Sequence, residues 1–426
     1  MSKRQILWGA VLLTGILILV VFVMFLHSNV KEQHKENGEK PKTIRMMAPY
    51  SAGPQKQILE EVARDYERDH EDIEIEIEYI PEENYKREIG LRQDEGTNAD
   101  IIICSSSMMP PLIKMGIFRE LEMTLEKRNR YVQGIPWENV MSDGKYYGLP
   151  FFYDPYLLFY NEDVMEENQA QLPATWEDII NVGLKIQKLG TYGFGFAAKN
   201  SEEAAQFFSL MLYSRGGSIY SIDRAQGVQC FQDIETMVQM NILPPNLINT
   251  SQGDLARRFA EGEIQMMVNQ LSCLTILRSS SISFDIGMTR LPGEITDMVY
   301  LTGENIGLTV NAGQEAEDFL DYLFEIDTYE KLGSAMEMLP VLQDVSYEEK
   351  GGADYKGEAG LKSDFLDGTN EKFSLVSDAW FSVAEALEEG IQAALETYPE
   401  EAQMIAENIQ EAVRISILEN QNAVDK

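Results

Sequence analysis

The chain has 426 residues, with 70 Asp and Glu against 35 Lys and Arg and a formal net charge of −35 at pH 7. So large an excess of acid repels phosphate backbones and anionic headgroups, which disfavours nucleic acid and anionic lipid as partners. Cys104, Cys230 and Cys273 are too few and too scattered for a disulfide framework or a thiolate metal site, and each stands in an apolar setting that suits a buried free thiol.

At the N-terminus, Lys3 and Arg4 precede an uncharged apolar run over residues 6–26. A helix of that length crosses a bilayer core of roughly 30 Å. The run is longer than most cleavable signal cores and lacks an evident small-residue cleavage site. Residues 1–27 therefore read as an uncleaved signal-anchor, with cleavage near Ser28 as the alternative. Lys3 and Arg4 lie before the span and Lys31 and Lys35 after it, so charge alone does not orient it. Residues 28–42 are polar and aperiodic, the pattern of a tether.

The body opens with a short strand over residues 43–48, a loop to Pro54, and a helix in which Ile58, Leu59, Val62 and Tyr66 recur at helical spacing. Strict alternation over residues 73–79 predicts a strand with one apolar and one acidic face. Residues 85–91 read as helix, and the continuous apolar run over 99–104 reads as a central strand. Alternating strands and helices imply an α/β sheet with parallel crossovers. In such sheets ligands gather beyond the carboxyl ends of the strands. That rule selects Tyr50 and Ser51 after the first strand, and Ser105, Ser106 and Ser107 after the third. Helix capping before residues 108–115 is an equally good reading of any single serine in that run.

Asp143-Gly144 makes a turn, residues 146–152 an aromatic strand, and Asp154-Pro155 a break before a second strand over 156–160. A chain that leaves one strand, bends at a proline and enters another is suited to crossing between two lobes. Thr175 then stands as a helix N-cap, with Glu177 and Asp178 where the helix dipole favours acid.

These words resemble a known family. Bacterial extracellular solute-binding proteins of the sugar-binding type, partners of ABC importers, carry D-G-K-x-Y-G-L-P, then L-x-Y-N-x-D, then a P-x-T-W-x-E/D helix start. Here the pattern is met by residues 143–150, 158–163 and 173–178. The resemblance implies a cytoplasmic N-terminus with the body outside the cell membrane. The run over residues 6–26 holds no cysteine, so the family's common lipid anchor is not available through that motif.

Farther on, residues 179–189 continue a helix, 192–198 read as a strand, 201–214 as an apolar helix ending at a double glycine, and 226–241 as a helix. The family closes that last helix with Gly. Asn241 stands there instead, and both tolerate the left-handed conformation. Residues 258–269 resemble the family's F-x-x-G-x-x-A-M strand with Asn269 at its end, and Gln265 replaces the usual Ala. Many sugar binders place a stacking aromatic next, but the run here is Gln270-Leu271-Ser272-Cys273. Residues 284–288 read as a strand, and 300–310 resemble the family's Gly-rich second crossing, with Gly303 permitting a turn and Glu304 and Asn305 facing the cleft. Helices follow over 316–323 and 328–339, a Gly-rich link over 351–368, amphipathic helices over 376–415, and a fraying tail over 420–426.

The resemblance implies a two-lobed periplasmic-binding-protein-like fold of type II, α/β in class, behind an N-terminal transmembrane helix. One lobe would comprise residues 43–153 and 304–342, the other 154–303 and 343–426. Ligand candidates are Tyr50, Ser51, Ser106, Ser107, Asp154, Tyr156, Gln206, Asn269, Glu304, Asn305 and Trp380. Asp154 and Tyr156 lead because they lie at the crossing. A carboxylate makes strong charge-assisted bonds to sugar hydroxyls, and an indole can stack on a pyranose. Arg215, before the double glycine, ranks lower. No metal or cofactor is expected, since no EF-hand loop, phosphate loop or zinc helix occurs. The expected function is capture of a neutral polar ligand, a carbohydrate, for ABC permease subunits.

Two other readings compete. A tethered sensor reporting to a membrane receptor kinase would need the same body. A hydrolase could use Asp154 and Glu304 as a carboxylate dyad. Against the second, no nucleophile elbow is present, and His27, His34 and His70 lie beside the tether or at a helix end.

Overall fold

A computed structural model describes residues 41–50, 53–132, 134, 137–199, 201–295, 298–300, 302–345, 355–358, 360–361, 371–373, 377–396 and 401–424. The expected membrane span over residues 6–26 and the tether up to residue 40 lie outside these, as does Ser51. Among the described residues no helix is long and apolar enough to cross a membrane. Residues 41–43 and 67–74 form a small unit, in which the Lys42 amide donates to the Asp72 carbonyl at 2.8 Å. The cores and cavity discussed below belong to the second unit, which holds the other described residues.

The strands in chain order are β1 (Lys42–Ala48), β2 (Ile73–Tyr79), β3 (Ile101–Ser105), β4 (Met141–Ser142), β5 (Lys145–Tyr146), β6 (Leu149–Tyr153), β7 (Tyr156–Asn161), β8 (Met266–Gln270), β9 (Ile286–Thr289), β10 (Met298–Tyr300), β11 (Gly303–Leu308), β12 (Leu339–Pro340) and β13 (Glu371–Phe373). A six-stranded sheet has the order β12-β6-β11-β3-β1-β2, and a three-stranded sheet has the order β8-β7-β9. β1 and β3 pair in parallel, as a crossover requires, whereas β11 enters antiparallel to both β3 and β6. The larger sheet is therefore mixed.

Asp154 and Pro155 stand between β6, in the larger sheet, and β7, at the centre of the smaller one. Pro155 has no amide hydrogen to offer a ladder, so one continuous strand is not possible there. The Thr302–Gly303 segment makes the second passage beside it. The Asp154 amide donates to the Thr302 carbonyl at 2.9 Å, and the Thr302 hydroxyl donates back to the Asp154 carbonyl.

Several expected elements are corrected. Residues 192–198 form only isolated bridges, Tyr192 to Ile264 and Gly195 to Met267. Gly193 presses so closely on the helix Trp176–Ile186 that an added Cβ would sit 2.4 Å from the Gly183 carbonyl oxygen, and this approach displaces a regular ladder. The helix expected over 328–339 runs Ile326–Met336 and ends at Glu337 with φ 56°. The aromatic strand over 146–152 is split into β5 and β6, and the C-terminal helix Ala402–Val424 takes in most of the tail expected to fray. Gly303 is no turn residue. It begins β11, where a Cβ would lie 2.1 Å from the Phe152 carbonyl oxygen.

The lobe around the smaller sheet carries the larger apolar core, in which the helices Ser201–Ser214, Ala225–Gln239, Trp380–Glu396 and Ala402–Val424 pack together. Its aromatic centre includes Phe196 stacked on Phe207 at 3.9 Å. A second core gathers Met47, Tyr85, Cys104 and Met109 under the larger sheet. Thr175 and Asp178 form a reciprocal capping box on the helix Trp176–Ile186, and Asn241 takes φ 53° beyond its helix. Cys104, Cys230 and Cys273 are buried and unbridged.

Candidate functional site

Between the two sheets lies a cavity of about 700 Å³. That volume is within the usual range for small-molecule sites. Tyr50, Ser105 and Glu304 line it from the larger sheet, and Glu202, Gln206, Gln252, Asn269 and Ser272 from the lobe of the smaller sheet. Asp154, at the first crossing, lines it too.

Asp154 is 3% exposed, and its Oδ1 accepts from the Ser272 amide at 2.8 Å. Burial pushes its carboxyl up to about 7 against the lowering effect of the bonds from Ser272 and Leu271. Glu304 leads into the same space from the start of β11. Gly303 pairs with Tyr153, so Glu304 and Asp154 leave neighbouring strand ends. The Tyr50 hydroxyl donates to Glu304 Oε2. Burial raises Glu304 to about 8; the Tyr50 bond opposes this and the nearby Asp154 charge adds to it.

Glu202 sits in the first turn of the helix Ser201–Ser214, where the helix dipole favours a carboxylate. Its Oε1 accepts from Ser105 Oγ at 3.2 Å, from Ser107 Oγ and from Gln206 Nε2, while Oε2 accepts from Trp380 Nε1 at 2.5 Å. Burial raises the Glu202 carboxyl, and those four neutral donors hold it down. Gln206 is 4% exposed, and its Oε1 is buried with no hydrogen-bond partner among the described residues.

Of the residues expected from sequence, Tyr50, Asp154, Gln206, Asn269 and Glu304 line the cavity. The Asn269 amide is occupied, with Nδ2 donating to the Gln252 carbonyl at 3.0 Å and Oδ1 accepting from the Gln270 amide at 2.9 Å. Ser107, Tyr156 and Trp380 stand one step behind the wall, each bonded to a lining residue: Ser107 and Trp380 to Glu202, and Tyr156 to Gln252 Nε2 at 2.5 Å. Ser106 donates its amide to the Gly303 carbonyl at 2.8 Å. Asn305 is buried between β3 and β6.

Trp380 was expected to offer a face to the cleft. It is fully buried in the larger core, and its N–H is aimed at Glu202. Arg215 is likewise structural, paired with Asp233 and set over Trp176 at 5.7 Å. Sequence reasoning missed Glu202, because Ser-Glu-Glu at a helix start reads as a cap with dipole-favoured acids. It also missed Gln252 and Asp254, although Ser251 and Asp254 spell a capping box that marks a helix pointing its N-terminus at the cavity.

Residues 50–328 match the family model described as bacterial extracellular solute-binding protein. A binding protein of Brucella abortus (strain 2308) is 25% identical over 403 residues, 91% of this chain and 93% of its own. The maltose-bound T. maritima MalE3 superposes with a TM-score of 0.73 at 20% identity, covering 88% of this chain and 99% of that one. A solute-binding protein of Agrobacterium radiobacter K84 in complex with ribitol superposes with a TM-score of 0.75 at 14% identity and the same coverages.

Proposed function

We propose that this chain, which belongs to the bacterial extracellular solute-binding protein family, captures a polyhydroxylated ligand of the carbohydrate class in the cavity between its sheets and delivers it to an ABC importer. The observation that carries this reading is a cavity of about 700 Å³ whose wall is drawn from both sheets and is rich in hydroxyl, amide and carboxyl groups. A ligand touching both lobes stabilises the closed state by its differential affinity, and closure is a shape that a membrane partner can read. Maltose and ribitol in the structural neighbours support a polyol frame.

The finer assignments belong to the same proposal. Residues 43–153 with 304–342 make one lobe and 154–303 with 343–426 the other, in keeping with the membership of the two sheets. The apolar run over residues 6–26 holds the body at the outer face of the cell membrane, next to its permease. Tyr50, Asp154, Gln206 and Glu304 contact the ligand. The family is one of binding proteins, so the carboxyls serve recognition and not hydrolysis.

A thermal-shift screen against mono- and oligosaccharides, polyols and amino acids, with product analysis of every hit, tests this reading. A ligand of the folded state raises the melting temperature by mass action. The expected result is a sugar or polyol that stabilises the protein, is recovered unchanged, and loses its effect in Asp154→Ala. Turnover of the hit, or stabilisation by amino acids alone, would sink the proposal.

A further inference from the structure

The wall of the cavity is unbalanced in hydrogen-bonding character. Among the described residues, Asp154 meets donors from Ser272 and the Leu271 backbone, Glu304 is met by the neutral Tyr50 hydroxyl, and Glu202 by four neutral donors. Gln206 adds a carbonyl oxygen without a partner among the described residues. Its orientation is fixed: Nε2 donates to Glu202 and to Ser107, and flipping the amide would set its carbonyl against the carboxylate.

The two cations among the described lining residues do not redress this. Arg257 has a side chain 57% exposed and is bonded to Asp254 at 2.6 Å, and Lys199 is exposed. The groups that act on Asp154 and Glu304 are Ser272, Leu271 and Tyr50 and the two carboxyls' own burial and proximity, with neither cation among them. Burying carboxylates among neutral groups is costly, so without ligand Asp154 and Glu304 favour their protonated forms, and a cation arriving with the ligand lets them ionise. A hydroxyl both gives and takes but carries no charge, so a plain sugar brings no counter-charge to the two carboxyls. An ammonium brings three donors, no acceptor and a full charge. Among the described residues no three acid, His or Cys side chains converge as metal ligands do, which suits donors spread over an organic molecule better than a bare ion.

We propose that the ligand is an amine-bearing carbohydrate, its protonated nitrogen held by Asp154 and Glu304 and one further N–H or O–H donated to Gln206 Oε1. This rests on the reading above for the place of the site and for the sugar frame.

The test uses the full chain and matched probes that differ by one nitrogen: glucosamine with glucose, galactosamine with galactose, and the fully deacetylated disaccharide of glucosamine with cellobiose. Spermidine and calcium ion serve as further arms. Titration calorimetry is expected to give, for at least one pair, tenfold or tighter binding of the amine. In Asp154→Asn and in Glu304→Gln the ratio of amine to neutral affinity is expected to fall at least tenfold. The wild-type ratio needs no variant, so a misfolded mutant does not blunt the test. Neutral members that bind as well as or better than their amines overturn the inference and leave the carbohydrate reading standing. Spermidine as the tightest probe, with no sugar bound, sustains the cationic site but overturns the carbohydrate frame. A response to calcium alone, or no response to any amine, overturns the inference.

Discussion

Asp154 is 3% exposed, and its donors among the described residues are neutral, so ionising it is harder in the folded chain than in the unfolded one. Its folded value of about 7 lies above its ordinary one, and Glu304 at about 8 is displaced the same way. Between the ordinary carboxyl range and those values the folded chain holds more protons than the unfolded chain, so stability falls as pH rises. The contribution is complete below about pH 4 and lost through pH 7 to 8. Tyr50 and Cys273 face these carboxyls, and burial raises both well above their usual values, so neither ionises in that window. Urea unfolding of the ligand-free body should show a loss of a few kcal/mol between pH 5 and 8, reduced in Asp154→Asn. A flat wild-type profile would mean that Asp154 is charged and well solvated. Trp380 makes a second case at this scale. Trp380→Phe keeps most of the ring in the core but removes the donor to Glu202, a change expected to cost about 1–3 kcal/mol. An unchanged unfolding midpoint would show that the bond carries no net weight.

The elements that were legible announce themselves locally. Asp154-Pro155 broke one strand from the next because proline lacks a donor, and Thr175 with Asp178 spelled a capping box that the structure forms on both sides. Removing that cap in Thr175→Ala is expected to cost about 1 kcal/mol in urea melts, and no loss would show that water replaces it without penalty. What stayed hidden depends on contacts distant in sequence. Trp380 and Glu202 are 178 positions apart, so nothing near Trp380 reveals that its indole is spoken for. The irregular run after Tyr192 turns on Gly193 meeting Gly183, an approach that apolar alternation does not encode. Of the site, the carboxyls at the crossings could be found because they adjoin legible breaks. The wall contributed by Gln252 and Ser272 could not, since their placement follows from how β8 and the helix Gln252–Ala260 turn toward the cavity.

At the scale of the whole body, the two lobes are joined by side chains as well as by backbone crossings, and the side-chain links differ in strength. Lys86 reaches Glu385 at 2.5 Å, but both are about half exposed, and pairs of that kind contribute little. Glu202 is different. It is buried, accepts from Ser105 and Ser107 at the end of β3, and belongs through its helix and Trp380 to the core of the opposite lobe. A hydrogen bond to a buried charge is worth about 1.5–3 kcal/mol, or roughly tenfold and more in the ratio of closed to open forms. Ser107 stands behind the cavity wall, so Ser107→Ala weakens this link without deleting a lining group. Small-angle scattering of the ligand-free variant should give a larger radius of gyration than the wild type. Affinity for any probe that closes the wild type should fall by the same factor by which the closed population falls, since part of the binding energy then goes into closure. A variant with unchanged scattering and unchanged affinity would place the hinge energetics in the backbone crossings at Asp154 and Thr302 alone.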